Sequence, residues 1–233
     1  MAIPFFYETS LPGLPGLFTL SGETSKHCIQ VLRMQPGETI ALTDGMGTKY
    51  EAEIISADKK QTVVTLSNKV LIPMPEPQTS IAISFVKNPS RMEWFLEKAT
   101  EIGIAAVYPL IAERTERTHF KADRWESIIV SAMLQSQQVW KTQLQEPVAF
   151  HELISRRFAG TKMIAHCEDD SKNSIVSLQN AAAQLILIGP EGDFSKEEIT
   201  AALACGFHPV SLGITRLRTE TAGIAAAVLL QNR

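Results

Sequence analysis

Two periodicities divide the chain. From Ile3 to about residue 70, short runs rich in β-branched and aromatic residues (Ile3–Tyr7, Leu17–Leu20, Thr39–Leu42, Lys49–Ile55 and Thr62–Val70) are separated by Pro, Gly and Asp. That spacing predicts short strands. Asp44, Gly45, Met46 and Gly47 read as a hairpin turn, because such residues tolerate positive φ. One helical stretch interrupts the strands, Ser25 to Met34, with Cys28, Ile29 and Leu32 on its inward side. A small β-barrel is the expected outcome. Pro73, Pro75 and Pro77 cannot continue a central strand, so they mark a boundary between domains at 1–72 and 78–233.

Beyond the prolines, strands alternate with helices. Ile81–Val86 reads as a strand, and Ser90 with Glu93 as a capping box for a helix carrying Met92, Phe95, Leu96, Ala99 and Ile102. Ala105–Leu110, Lys162–His166, Leu185–Ile188 and Pro209–Leu212 are further strands, and Trp125, Ile128, Ile129, Ala132 and Met133 give a second amphipathic helix. Ser195 and Glu198 form another capping box, so the next helix starts at Lys196. The last helix, Ala222 to Leu230, is small and aliphatic all round, which implies burial against a close neighbour. Such alternation predicts an α/β domain with a parallel sheet and right-handed crossovers.

Candidate chemistry gathers where two of these strands end. Leu185–Ile188 runs into Gly189, Pro190, Glu191 and Gly192; Pro209–Leu212 runs into Gly213, Ile214, Thr215, Arg216, Leu217, Arg218, Thr219, Glu220 and Thr221. Ligands of open α/β sheets bind at the carboxyl ends of strands. Taken alone, each loop also fits an ordinary βα turn. Neither matches the G-x-G-x-x-G or G-x-x-x-x-G-K-[ST] pattern of a phosphate cradle.

Composition narrows the picture without deciding it. The 233 residues are 45% hydrophobic and 20% charged, ordinary for one or two globular domains. No run approaches the ~20 apolar residues of a membrane span, and the N-terminus lacks a signal-peptide plan, so a cytoplasmic location is expected. Cys28, Cys167 and Cys205 are odd in number and far apart, supporting neither a disulfide framework nor a zinc site. His166 beside Cys167 lacks further ligands at metal spacing, and no metal is expected. A formal charge of −3 speaks against binding RNA through a broadly basic surface, leaving that work to local clusters.

The segments "IGPEGDFSKEEI" (188–199) and "LGITRLRTETAG" (212–223) resemble the paired signature of the RsmE family of ribosomal RNA methyltransferases. The resemblance implies S-adenosylmethionine-dependent methylation of uridine N3 in 16S ribosomal RNA. It also implies a C-terminal SPOUT domain, a parallel-sheet α/β fold with a trefoil knot, behind a PUA-like barrel. Knots are rare, so that expectation rests on the resemblance alone. Cofactor contacts are then expected from His166, Ile188, Gly189, Pro190, Glu191, Gly192, Leu212, Gly213, Leu217, Thr219 and Thr221. Glu116, Arg117 and Thr118 are similar to a family Glu-Arg-Ser or Glu-Arg-Cys element, which favours Arg117; with Arg218 it is a candidate to stabilise the uracil anion, and Glu220 either orients an arginine or the substrate or caps the last helix near its N-terminus. "SKHCIQVLRM" (25–34) resembles a family RNA-binding segment, giving His27 and Arg33 beside Arg216 as RNA contacts. Gln138 stands where many members carry an arginine. The family resemblance further implies a homodimer acting on rRNA in an assembled small subunit. The alternatives are a SPOUT enzyme for another RNA or a ribose hydroxyl, and a non-catalytic RNA-binding module.

Overall fold

The computed structural model describes residues 3–116, 118–168, 171–178 and 182–231. It forms two compact units, Met1–Met74 with Met133–Lys141, and Pro75–Ala132 with Thr142–Arg233.

In the first unit, β1 (Phe5–Tyr7), β2 (Gly16–Thr19), β3 (Thr39–Thr43), β4 (Thr48–Ser56) and β5 (Val63–Leu71) form one sheet in the order β1-β3-β4-β5-β2. Two register shifts between β4 and β5 bend it around a core that includes Phe6, Leu20, Cys28, Ile40, Leu42, Tyr50 and Val64. The turn at 44–47 forms as the residue types require: Gly45 and Gly47 have φ of 68° and 90°, and the Asp44 carboxylate accepts from the Met46 and Thr48 amides.

The helix expected at 25–34 is displaced and changes type. It starts earlier, as α1 (Gly22–Lys26), because the Ser21 hydroxyl caps the Thr24 amide. It then continues as a π-helix over His27–Val31. Each π-turn accommodates one more residue than an α-turn, so the inward face shifts. Cys28 stays fully buried and Met34 is buried, whereas Leu32, expected inside, is 43% exposed.

The segment 133–141 joins this unit although it is remote in sequence. The Trp140 indole N–H donates to the Ile72 carbonyl at 3.0 Å, the Lys141 amide to Gly45 and the Gly47 amide to Val139. A Cβ at Gly47 would overlap the Trp140 ring, so glycine is needed there for space as well as for φ.

The second unit is an all-parallel eight-stranded sheet. It comprises β6 (Gln78–Ser84), β7 (Ala106–Ile111), β8 (Gln143–Leu144), β9 (Val148–Ala149), β10 (Thr161–Ala165), β11 (Asn173–Ser174), β12 (Ala183–Ile188) and β13 (His208–Ser211). The order is β11-β13-β10-β12-β6-β7-β8, with β9 also on β7. Its central strands are buried on both faces, as their continuous apolar runs require. The helices are α2 (Pro89–Ile102), α3 (Ala122–Gln135), α4 (Phe150–Ser155), α5 (Lys196–Ala204) and α6 (Thr219–Gln231).

Helix α2 is capped by the Asn88 side chain on the Ser90 amide rather than by Ser90. Pro89 lacks an N–H and fits the first helical turn, which leaves Asn88 as the cap. Gly103 closes the helix at φ 91°. At α5 the box expected from Ser195 and Glu198 is complete in both directions. Helix α6 begins three residues before the expected Ala222 and lies on α2 so closely that a Cβ at Gly223 would come within 2.6 Å of Phe95 and 2.9 Å of Ile83. At its far end the Gln231 amide donates to the Gly103 carbonyl.

Candidate active site

Strand β10 lies between β12 and β13, and the register pairs Ala165 with Ile188 on one side and with Val210 on the other. Three strands therefore end level, and the segments that leave them meet. They enclose a cavity of about 690 Å³ in the second unit, walled by Ala165, His166 and Cys167 at the end of β10, by Ile188–Glu191 and Asp193 at the end of β12, and by Val210–Thr219 and Ala222 from the end of β13 onward. Lys172 completes the lining.

The 189–194 loop is held in shape by several independent contacts. A Cβ at Gly189 would stand 3.2 Å from the Phe194 ring and amide, a tight contact that a side chain fits only if Phe194 gives by a few tenths of an ångström. Positive φ falls on Asp193 instead, at 62°. Its carboxylate accepts from its neighbour Phe194 at 2.8 Å and from the Cys167 amide at 2.7 Å, joining the β10 and β12 loops. The buried Thr219 hydroxyl donates to the Gly189 carbonyl at 3.0 Å, joining the β13 loop to the same turn. From outside, the Lys87 amide donates to the Glu191 carboxylate at 3.1 Å and the Arg114 guanidinium to the Gly192 carbonyl at 2.8 Å.

Electrostatically the cavity is mixed. Arg216 and Arg218 line it and are exposed. Partial burial and the Asp193 carboxylate push the Cys167 thiol above its ordinary value, while Arg216 draws it down. Among the described residues no group of three His, Cys, Asp or Glu could hold a metal ion. No helix among them is long and apolar enough to cross a membrane.

A family model described as RNA methyltransferase domain matches residues 74–231, and one described as RNA methyltransferase PUA domain matches 20–67. Ribosomal RNA small subunit methyltransferase E of Synechocystis sp. is 31% identical over 218 residues, 89% of this chain and 70% of its own. The chain belongs to the ribosomal RNA small subunit methyltransferase E family of RNA methyltransferases. The resemblance carried by residues 188–199 and 212–223 is thereby borne out. A Porphyromonas gingivalis protein of known structure is 37% identical, with a TM-score of 0.90 over 98% of each chain. The family member from Neisseria gonorrhoeae, crystallised bound to S-adenosyl methionine, is 27% identical, with a TM-score of 0.86 over 99% of this chain and 97% of its own.

Within this methyltransferase the cavity gathers nine of the eleven expected cofactor residues: His166, Ile188, Gly189, Pro190, Glu191, Leu212, Gly213, Leu217 and Thr219. Gly192 and Thr221 are not among the lining residues; Gly192 faces Arg114, and Thr221 is exposed on α6. Asp193, Cys167 and Ser211 line the cavity without having been singled out; Asp193 and Cys167 meet only through a contact between loops, whereas Ser211 bonds locally to Gly213.

Of the catalytic candidates, Arg218 lines the cavity and Glu220 is buried in the first turn of α6. Arg117 lies outside the described residues. The triplet Glu-Arg-Thr occurs at 113–115 as well as at 116–118, and the first copy is fastened to the loop beside the cavity. The Glu113 amide donates to the buried Glu198 carboxylate at 2.8 Å, Arg114 holds Gly192, and the Thr115 hydroxyl meets Ser84 at 2.7 Å. In the first unit His27 is exposed and edge-on to Phe6, and Arg33 is exposed with a φ of 56°. Arg216, the third RNA candidate, is on the cavity wall.

Proposed function

We propose that the chain methylates N3 of a uridine in 16S ribosomal RNA, using S-adenosylmethionine held in the cavity at the ends of β10, β12 and β13. The carrying observation is that cavity. Its volume of about 690 Å³ falls in the range of small-molecule clefts, roughly 300–1,000 Å³. Its lining suits the cofactor, with apolar surface from Ile188, Leu212, Leu217 and Ala222 for an adenine ring and glycine-bearing backbone for close approach. Bound there, the cofactor supplies an electrophilic methyl group on a sulfonium.

The chain's own residues have three tasks. The 188–191 and 212–217 segments hold the donor in register, and fixing two reactants together can contribute roughly 7–11 kcal/mol. Arg218, always charged, stabilises the anion that spreads over the uracil carbonyl oxygens when N3 loses its proton. Arg117 is a candidate for the same role. Thr219 and Glu220 position the first turn of α6. Residues 1–72 serve as the RNA-binding domain, with Arg33 and His27 as contacts, and residues 78–233 as the catalytic domain, where Arg216 on the cavity wall is the third RNA contact. With a net charge of −3, recognition of a preformed shape, as in an assembled small subunit, fits better than a broadly basic groove.

The same reading includes a cytoplasmic homodimer without a metal and a trefoil passage of the C-terminal chain. Supporting the passage, β13 lies beyond β10, yet the α6 that follows packs on β6, β12 and α2. Calorimetry with S-adenosylmethionine tests the cofactor site: binding by the wild type, lost in a folded Gly189→Trp variant, is expected. Absence of binding to the wild type would favour a non-catalytic RNA-binding module.

A further inference from the structure

Helices α2 and α6 begin next to each other, and one ion pair joins their first turns. Glu220 is only 7% exposed, and its Oε1 is 3.5 Å from the Nε of Arg91. The other carboxylate oxygen is buried, and among the described residues it has no hydrogen-bond partner. Burying a carboxylate this incompletely satisfied is costly, and the α6 dipole offsets only part of that cost. Capping does not explain the arrangement, because Glu220 lies within the helix and reaches across to α2 instead. The Arg91 side chain remains 38% exposed, and among the described residues no second carboxylate pairs with it.

Both helix starts are tied to the cavity wall. Thr219, adjacent to Glu220, bonds to Gly189, and Lys87, just before α2, bonds through its amide to Glu191. Arg91 and Glu220 are not themselves lining residues of the cavity; Arg91 is an arginine paired at 3.5 Å with a buried carboxylate, on helix starts whose neighbours Lys87 and Thr219 hold the lining loop. A planar guanidinium held at Nε retains donors on its terminal nitrogens for an anionic oxygen.

We propose that Arg91 is a substrate-contacting residue of methyl transfer, donating to a carbonyl oxygen of the target base as it gains negative charge, and that Glu220 is its positioning residue. This rests on the methyl-transfer reading above. In the step concerned, the N3–methyl bond forms, the sulfur–methyl bond breaks with its electron pair going to sulfur, and the N3 proton leaves to solvent. Arg91 neither gives nor takes a proton.

The test is single-turnover methylation of small ribosomal subunits at saturating RNA, with cofactor affinity and thermal midpoint measured on the same samples. Arg91→Gln is expected to lower the rate ~100-fold, the scale of losing one charge-stabilising donor, with cofactor affinity and folding preserved. Arg91→Lys should recover part of the loss, because charge without the planar fork is half the device. Glu220→Gln should slow the wild type but add little to Arg91→Gln, the non-additivity of residues that act as a unit. An Arg91→Gln rate within about twofold of wild type overturns the inference. So does weakened RNA binding with an unchanged rate at saturation, which would assign Arg91 to a phosphate. A wild type that transfers no methyl group would sink the underlying reading as well, whereas an active wild type with an equally active Arg91→Gln sinks only this inference.

Discussion

Thr219 connects two walls of the cavity through a single side-chain hydrogen bond to the Gly189 carbonyl. Thr219→Val keeps the branched shape and removes the donor, leaving a buried carbonyl unsatisfied. Such a loss costs about 1–3 kcal/mol, and the loosened Gly189 turn should weaken cofactor binding. Urea unfolding and calorimetry check both, and Thr219→Ser should restore both; unchanged cofactor affinity in Thr219→Val would remove Thr219 from the site's framework. The three loop glycines show how far residue identity can be read from sequence. A glycine-rich βα loop signals close backbone approach, but the kind of demand differs at each position. Gly189 sits tightly against Phe194, Gly213 takes a φ of 144°, and Gly192 faces Arg114. Asp193, an ordinary-looking acid, takes the positive φ and ties two loops together. Its task depends on Cys167, 26 positions away, which is why no local motif reveals it.

At the scale of elements, hydrophobic pattern located the longer strands and helices: one apolar face marked α2 and α3, and continuous apolar runs marked the doubly buried central strands β6 and β12. What it missed were hydrogen-bond details. The Ser25–Met34 stretch has helical spacing, but the switch to a π-helix at His27 turns Leu32 outward and keeps Cys28 inside. Burial and the neighbouring Glu8 carboxylate raise the Cys28 thiol from 9.0 to about 11. The unfolded chain therefore releases this proton at lower pH than the folded one, and the folded state loses stability as pH rises between about 9 and 11. A rise of that size corresponds to roughly 2–3 kcal/mol across the window. Urea unfolding of wild type and Cys28→Ala at both ends of the window should show a steeper loss in the wild type; parallel profiles would mean the thiol titrates normally.

For the whole molecule, alternation of strands and helices was enough to predict a parallel sheet, and the strand ends singled out in the sequence border the cavity. The return of 133–141 to the first unit was not legible, because it depends on Trp140 meeting Gly47 and Ile72 across a long stretch of sequence. Helix α6 reads as buried all round, yet its packing on α2 leaves Val228 40% exposed, and Trp94 on α2 is 44% exposed. Outward apolar side chains on adjoining helices suit a self-complementary contact. Sedimentation at micromolar concentration should give twice the chain mass of 25.7 kDa; a single species at that mass would refute the homodimer. The central claim is a reaction, and methylation of small subunits from cells lacking the enzyme tests it most directly, with the modified nucleoside identified by mass spectrometry and naked 16S rRNA assayed in parallel. The account predicts one methyl group on uridine N3, with subunits preferred over naked RNA; a methyl group on a ribose or on another base would contradict it.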